Sequence, residues 1–373
     1  MKYFTGKRDS KKLLSTFFLA SALAFTAWAG SGSVFEGQRD GPVSHHPGYG
    51  PELFMSRPHQ SSNWSETWNH EMHFDDRTQI TGWVNVNKNE GSMVMSVAMP
   101  GKEPIAGVTA AKRDEVIIAP DGFEIKVGPN SIRLVDDRHY KVSLGMDRIR
   151  GSITYEILCP GWGFGTGRID WPDKKSYSGH NLPIPWARVH VELMVDGEPK
   201  TWDGYGSMNH DHTAYSPLKA PARWRGFTIY GEEFGLNITD YNPHQDMGPE
   251  LVQRLVYMES DRVVFTSTSY DLSWEDWAKA EDVPFRYPEK YRLLAEGGGM
   301  SIKAELAMKN VVSKTDLFSN LPAPIRVLIA RLMPNGWSYD FWCDYEIEVS
   351  GPEGVKHFTG KATGRWVGLE DEK

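Results

Sequence analysis

The 373-residue chain predicts an all-β fold of antiparallel strands, and three observations carry that expectation. Gly 36 and Pro 23 punctuate the chain too evenly for long helices to dominate. The 14 Trp, 15 Tyr and 16 Phe suit pleated, half-buried surfaces. Between turn clusters run short segments of alternating character, and strands at that spacing without intervening helical patterns indicate a sandwich or barrel. At about 150 residues per domain, the length predicts two domains.

Residues 1–29 read as a secretory signal. Lys2, Lys7, Arg8, Lys11 and Lys12 precede an apolar run, Leu13 to Ala29, that closes on Ala27-Trp28-Ala29. The run is short for a spanning helix, so cleavage and export to the periplasm are expected, with an uncleaved anchor as the alternative. Residues 30–62 lack hydrophobic periodicity and read as an extended lead-in.

From about Trp64 the β-type runs begin: Ile80–Asn87, Met93–Met99, Glu115–Ala119, Phe123–Val127, Tyr140–Leu144 and Ile153–Leu158. The second half repeats the texture with Arg223–Tyr230, Phe234–Tyr241, Leu251–Glu259, Arg262–Asp271, Tyr291–Ala295, Ser301–Met308, Tyr339–Val349 and Lys356–Trp366. Ser260-Asp261 predicts a two-residue hairpin turn. Pro324–Leu332 has helical spacing and predicts a short helix plugging one barrel end. The stretch Val191–Gly197 with Gly204 echoes Tyr345–Gly351 with Gly360, as two copies of one β-domain would.

The formal charge of −8, with no basic run interleaved with aromatics, excludes a nucleic-acid partner. No P-loop, Rossmann fingerprint, G-x-S-x-G elbow or CxxC occurs, and Gly161–Gly167 reads as a loop. Asp75-Asp76 and Asp136-Asp137 read as turns. Cys159 and Cys343 sit one in each half, so they are either a disulfide or two buried small hydrophobes.

Polar residues concentrate in Gly204–Thr213. His210 and His212, two apart on a strand, face one side, while Asp211 faces the other. They fit a structural pair, a metal site completed by His70 or His73, or a catalytic role. In Phe234–Tyr241 a period of 2 puts Asp240 on the face of Phe234, Leu236 and Ile238. Desolvation there would keep its carboxyl protonated; alternatively Asp240 caps the turn at Tyr241-Asn242-Pro243.

The run Pro185–Glu192, then Val195-Asp196-Gly197-Glu198, then Gly204-Tyr205-Gly206-Ser207-Met208-Asn209-His210-Asp211-His212, with Trp224 following, resembles the domain junction of the double-lipocalin proteins related to carotenoid 1,2-hydratase, AttH and kievitone hydratase. An early aromatic segment, Trp68–Phe74, resembles theirs as well. His210 matches the family's motif histidine; Asn209 stands where Asp is common and His212 where Trp is common. The resemblance covers roughly residues 60–370.

It implies two consecutive lipocalin-like antiparallel barrels, 63–205 and 206–373, with the short helix in the second. It also implies an apolar, isoprenoid or lipid-like ligand; an exported barrel with an apolar mouth would in addition sample a membrane surface in transient contact. Hydratase members add water to a prenyl-type double bond without a cofactor or metal. On that pattern Asp240 would be the acid, with His210 and His212 holding water. Tyr205, Trp224 and Tyr241 would line the cation, beside Met208 and Asn209. The competing readings are a non-enzymatic periplasmic carrier and a module with filled barrels.

Overall fold

The computed structural model describes residues 51–120, 124–170, 177–214, 223–242, 251–279, 286–316 and 336–368. The signal segment, the first part of the lead-in and the predicted helix at Pro324–Leu332 lie outside them. The described chain is all-β, with two 3-10 turns, Pro51–Leu53 and Arg113–Glu115, and no α-helix.

In the first half run β1 (Trp64–Phe74), β2 (Gln79–Asn87), β3 (Glu90–Ala98), β4 (Ile105–Lys112), β5 (Val116–Ile118), β6 (Glu124–Val127), β7 (Asn130–Leu134), β8 (His139–Gly145), β9 (Ile149–Cys159), β10 (Trp162–Asp170), β11 (Tyr177–Val195) and β12 (Glu198–Ala214). The second half holds β13 (Arg223–Tyr230), β14 (Phe234–Asn242), β15 (Val252–Glu259), β16 (Arg262–Ser267), β17 (Asp271–Lys279), β18 (Arg286–Gly297), β19 (Met300–Asp316), β20 (Trp337–Gly351) and β21 (Gly354–Gly368).

One sheet follows the order β4-β3-β2-β1-β12-β11-β9-β8-β7-β6-β5, with β10 paired to β11, and curls into a nearly closed barrel as β6 comes back against β3 and β4. The other, β16-β15-β14-β13-β21-β20-β19-β18-β17, is a half-barrel. Laying β1–β4 on β13–β16, and β7, β8, β9, β11 and β12 on β17–β21, superimposes the two orders strand for strand. The sequence echo is thus the paired hairpins β11/β12 and β20/β21 of one topology used twice. Its 156-residue offset, from Gly204 to Gly360, also carries His210 onto Trp366. These two residues face Trp68 and Arg225 respectively across the next strand.

Local chemistry sets the turns. Asp196 and Gly197 take φ of 51° and 86° between β11 and β12, the left-handed pair that a tight hairpin between twisted strands requires. Ser260, at φ 54°, turns β15 into β16 as its sequence predicts. Asp76 and Asp136 accept backbone N–H bonds two residues on, from Thr78 and Arg138, and so do form turns.

Several boundaries differ from expectation. Gly161–Gly167 is not a loop: strand β10 covers most of it, bulged between Gly163 and Arg168, because backbone pairing needs no side-chain pattern. Position 205/206, the implied domain boundary, lies inside β12, which pairs with β1 and β11 as far as Ala214. Arg262–Asp271 divides into β16, which ends at Ser267, and the first residue of β17, the latter strand carrying Trp274 and Trp277. Cys159 and Cys343 are free and buried, in different cores, and form no disulfide.

Each barrel has its own core. The first is dominated by Trp68, Met72, Val84, Ile153, Tyr155 and Met208, the second by Phe227, Ile238, Tyr257, Tyr291, Phe341 and Trp366. Between them lies a third cluster around Trp162, Phe164, Trp186, Tyr230 and Met258, where the Asn237 amide donates to the Pro185 carbonyl at 3.0 Å. The lead-in is more than a tether. Leu53 and Phe54 are buried, and the Phe54 ring packs 5.8 Å from Trp68 and 5.3 Å from Tyr140, so the chain before β1 fills the first barrel.

Candidate functional site

The residues singled out in the sequence fall into three separate environments. On β12, Met208, His210 and His212 point into the first barrel, and all three are buried. The His210 ring stacks on Trp68 at 4.5 Å with planes 6° apart, and lies 5.6 Å from His212. Its Nδ1 donates to the Leu53 carbonyl at 2.8 Å; a carbonyl only accepts, so this contact fixes the tautomer. Nε2 then faces the buried Glu66 carboxyl at 3.6 Å. Glu66 also accepts from the Arg57 backbone N–H, and the Trp68 indole N–H donates to the Phe54 carbonyl at 2.8 Å. His210 and Glu66 therefore grip the segment that fills the barrel.

His70 lies inside the same barrel, its Nδ1 2.9 Å from the Tyr155 hydroxyl. Burial pulls it down to about 3. His73 faces the opposite way, stacked on Tyr230 of the second sheet, and burial lowers it to about 4. The two thus lie on different faces of β1. Among the described residues no group of three His, Cys, Asp or Glu is placed to hold a metal ion.

Asn209 and Asp211 project from the outer face of β12. The Asn69 amide donates to Asn209 Oδ1 at 2.6 Å and to Asp211 Oδ2 at 2.8 Å, and His180 Nδ1 lies 2.6 Å from Asp211 Oδ1. Tyr205 is half-buried against the cluster between the barrels.

Asp240 belongs to the second barrel, inside and wholly buried on β14. It caps no turn, because β14 continues to Asn242. Directly across the strand pair stands Arg225 of β13, also at 0% exposure, whose Nε meets Asp240 Oδ1. The Tyr291 hydroxyl donates to Asp240 Oδ2 at 2.8 Å, and Arg225 Nη2 donates to Asn242 Oδ1 at 2.7 Å. The guanidinium carbon sits 4.0 Å from the Trp274 ring centroid and 4.9 Å from that of Trp366, a cation held against two indoles. Trp277 meets Trp366 edge-on at 5.7 Å, and Tyr287 lies 5.3 Å from Tyr339.

Burial pushes the Asp240 carboxyl up, while Arg225 and the Tyr291 hydroxyl pull it back. A guanidinium does not give up its proton in a protein, so the ionised carboxylate is the form that leaves this site neutral. Trp224 is half-buried on β13, its backbone facing that of Tyr241 across the pair.

The structure therefore brings His210, His212 and Met208 together in one barrel and Asp240 with Arg225 in the other, and does not bring the histidines to Asp240. Sequence reasoning missed Arg225, although the period of 2 that marks Asp240 also places Arg225 on the face of Phe227 and Ile229. It missed Glu66 on the same grounds, beside Trp64 and Trp68.

No family model matches the chain, and no curated protein matches it. Solved structures do. CghA, crystallised with Sch210972, aligns over 89% of this chain and 99% of its own, with a TM-score of 0.59 at 13% identity. An AttH-type protein from Nitrosomonas europaea aligns over 84% and 95%, with a TM-score of 0.56 at 12% identity. The fold is that of the double-lipocalin proteins. Kievitone hydratase from Nectria haematococca shares it too, over 92% of this chain and 96% of its own, with a TM-score of 0.52 at 13% identity. Within the double-lipocalin fold the two polar clusters described above occupy equivalent cross-strand positions, Trp68 with His210 and Arg225 with Trp366.

Proposed function

We propose that the protein is an exported, periplasmic binder of an apolar isoprenoid- or lipid-like small molecule, and that the second barrel holds the ligand. The observation that carries this reading is the aromatic group Trp274, Trp277, Tyr287, Trp337, Tyr339 and Trp366, gathered around the buried Arg225–Asp240 pair. Apolar walls with a few convergent polar groups are what a small-molecule site requires. In the first barrel Phe54 packs into the core between Trp68 and Tyr140. A small molecule in the CghA crystals is consistent with the reading.

Acid-catalysed hydration fits this geometry less well. It needs a protonated acid and aromatic faces free to stabilise a carbocation, whereas Asp240 is engaged by Arg225 and the neighbouring indole faces are taken by its guanidinium. A carrier needs neither. The test is native mass spectrometry and solvent extraction of the protein from its host's periplasm, followed by incubation of the extracted lipid with protein in isotopically labelled water. A bound lipid returned unchanged supports the carrier. A product heavier by one labelled water establishes hydration instead, and protein that is empty and takes up no lipid refutes binding.

A further inference from the structure

We infer that the ligand of the second barrel presents a neutral oxygen acceptor, a carbonyl or hydroxyl, to Arg225 and Trp366. This rests on the binding reading above and narrows it from hydrocarbon chains to oxygenated ones. Arg225 Nε stands in the ion pair with Asp240 and Nη2 donates to Asn242, while Nη1 has neither an ion-pair contact nor an acceptor. The Trp366 indole N–H is also buried without an acceptor. Of the nearby acceptors, Asp240 Oδ2 takes Tyr291 and Asn242 Oδ1 takes Arg225 Nη2, while Asp240 Oδ1 is held in the ion pair against Arg225 Nε. Tyr270 donates its hydroxyl to the Thr239 carbonyl at 3.3 Å.

Arg225 Nη1 and the Trp366 N–H are thus donors without an acceptor, in side chains at 0% exposure. Buried donors in native proteins are almost always met by an acceptor; none of the described residues supplies one here, and a bound molecule would.

Charge selects the kind of oxygen. The Arg225 cation and the Asp240 anion already cancel, so a carboxylate on the ligand would leave an excess negative charge in a buried apolar site. A ketone, ester or alcohol oxygen accepts the same hydrogen bonds without that penalty.

The probes are three compounds with one C15 chain: farnesylacetone as ketone, farnesene as hydrocarbon and farnesoic acid as carboxylate. Each is titrated into the purified full chain at pH 7 with tryptophan fluorescence as readout. The ketone should bind about tenfold or more tightly than the hydrocarbon, as a bond from a charged donor allows, and also more tightly than the acid. Arg225→Met should abolish the difference between ketone and hydrocarbon. Because that variant strands Asp240, Trp366→Phe serves as the second: it keeps a ring, removes one N–H, leaves the ion pair intact and should lower the ketone preference alone. Hydrocarbon binding as tight as ketone overturns the inference and leaves the binding reading standing. Tightest binding of the acid overturns the neutrality argument, and no binding of any probe removes the binding reading itself.

Discussion

Replacing Asp240 with Asn separates two roles that the same carboxyl could play. As an ionised counter-charge, Asp240 neutralises a guanidinium at 0% exposure whose surroundings are otherwise Trp274 and Trp366 faces. Asn keeps the shape and removes the charge, so Arg225 is left buried and uncompensated. Breaking a buried pair from one side costs about 3–5 kcal/mol. As a protonated acid, Asp240 would carry no charge to lose, and Asn would cost no more than a neutral hydrogen bond, about 1 kcal/mol.

The two cases are easily told apart by urea unfolding at pH 7, read from tryptophan fluorescence. With a slope of about 3 kcal/mol per molar urea, the charged case moves the midpoint of the second barrel down by about 1–2 M. The double variant Arg225→Met with Asp240→Leu should recover most of that loss, since apolar replacement of a whole buried pair is close to neutral. A midpoint shift of only a few tenths molar for Asp240→Asn would refute the counter-ion argument and return Asp240 to the role of acid.

Three further outcomes follow from the packing. Phe54→Ala empties a buried site between Trp68 and Tyr140 and should cost about 3–5 kcal/mol, seen as a lower melting temperature and as new proteolytic cleavage near residues 51–60. His70 and His73 are held neutral by burial, at about 3 and about 4, so unfolded chains take up protons that folded ones refuse. Stability from these two sites is complete above about pH 6.5 and falls by about 1.4 kcal/mol per site per pH unit as the pH drops towards those values. His70→Gln should flatten the slope of stability between pH 6.5 and 5, and parallel slopes would contradict the assignment. Burial pushes the Cys159 thiol up to about 12 and the Cys343 thiol higher than its ordinary value, so neither should react with a thiol reagent at pH 8 until the protein is denatured.

Much of the architecture was legible because strand periodicity and turn chemistry are local. Asp196-Gly197 and Ser260-Asp261 announce their hairpins from two residues each, and the echo at 156 residues reports a topology that the sheets then repeat. What escaped was non-local. The glycine run at 161–167 pairs through backbone alone, and the second barrel's Trp274 acquires meaning only when Arg225 arrives from another strand. Asp240 was picked out correctly as buried, but its cross-strand partner Arg225 was not seen. The histidines of β12 looked catalytic because they are dense and polar. His210 meets the Leu53 carbonyl and faces Glu66, 157 and 144 residues away in sequence, which no spacing rule connects to it.

The grip of His210 and Glu66 on residues 53–57 also sets an order of events during folding. Trp68 and His210 lie opposite each other on paired strands although 142 residues separate them, so β1 waits for β12 to be made before the sheet can close around it. The segment before β1 is synthesised earlier still, but the carbonyl of Leu53 finds its donor only on β12. The first part of the barrel to leave the ribosome is thus among the last to dock. Contacts this distant along the chain make for slow folding, and until they form, Leu53 and Phe54 remain an exposed apolar pair on an unfinished barrel.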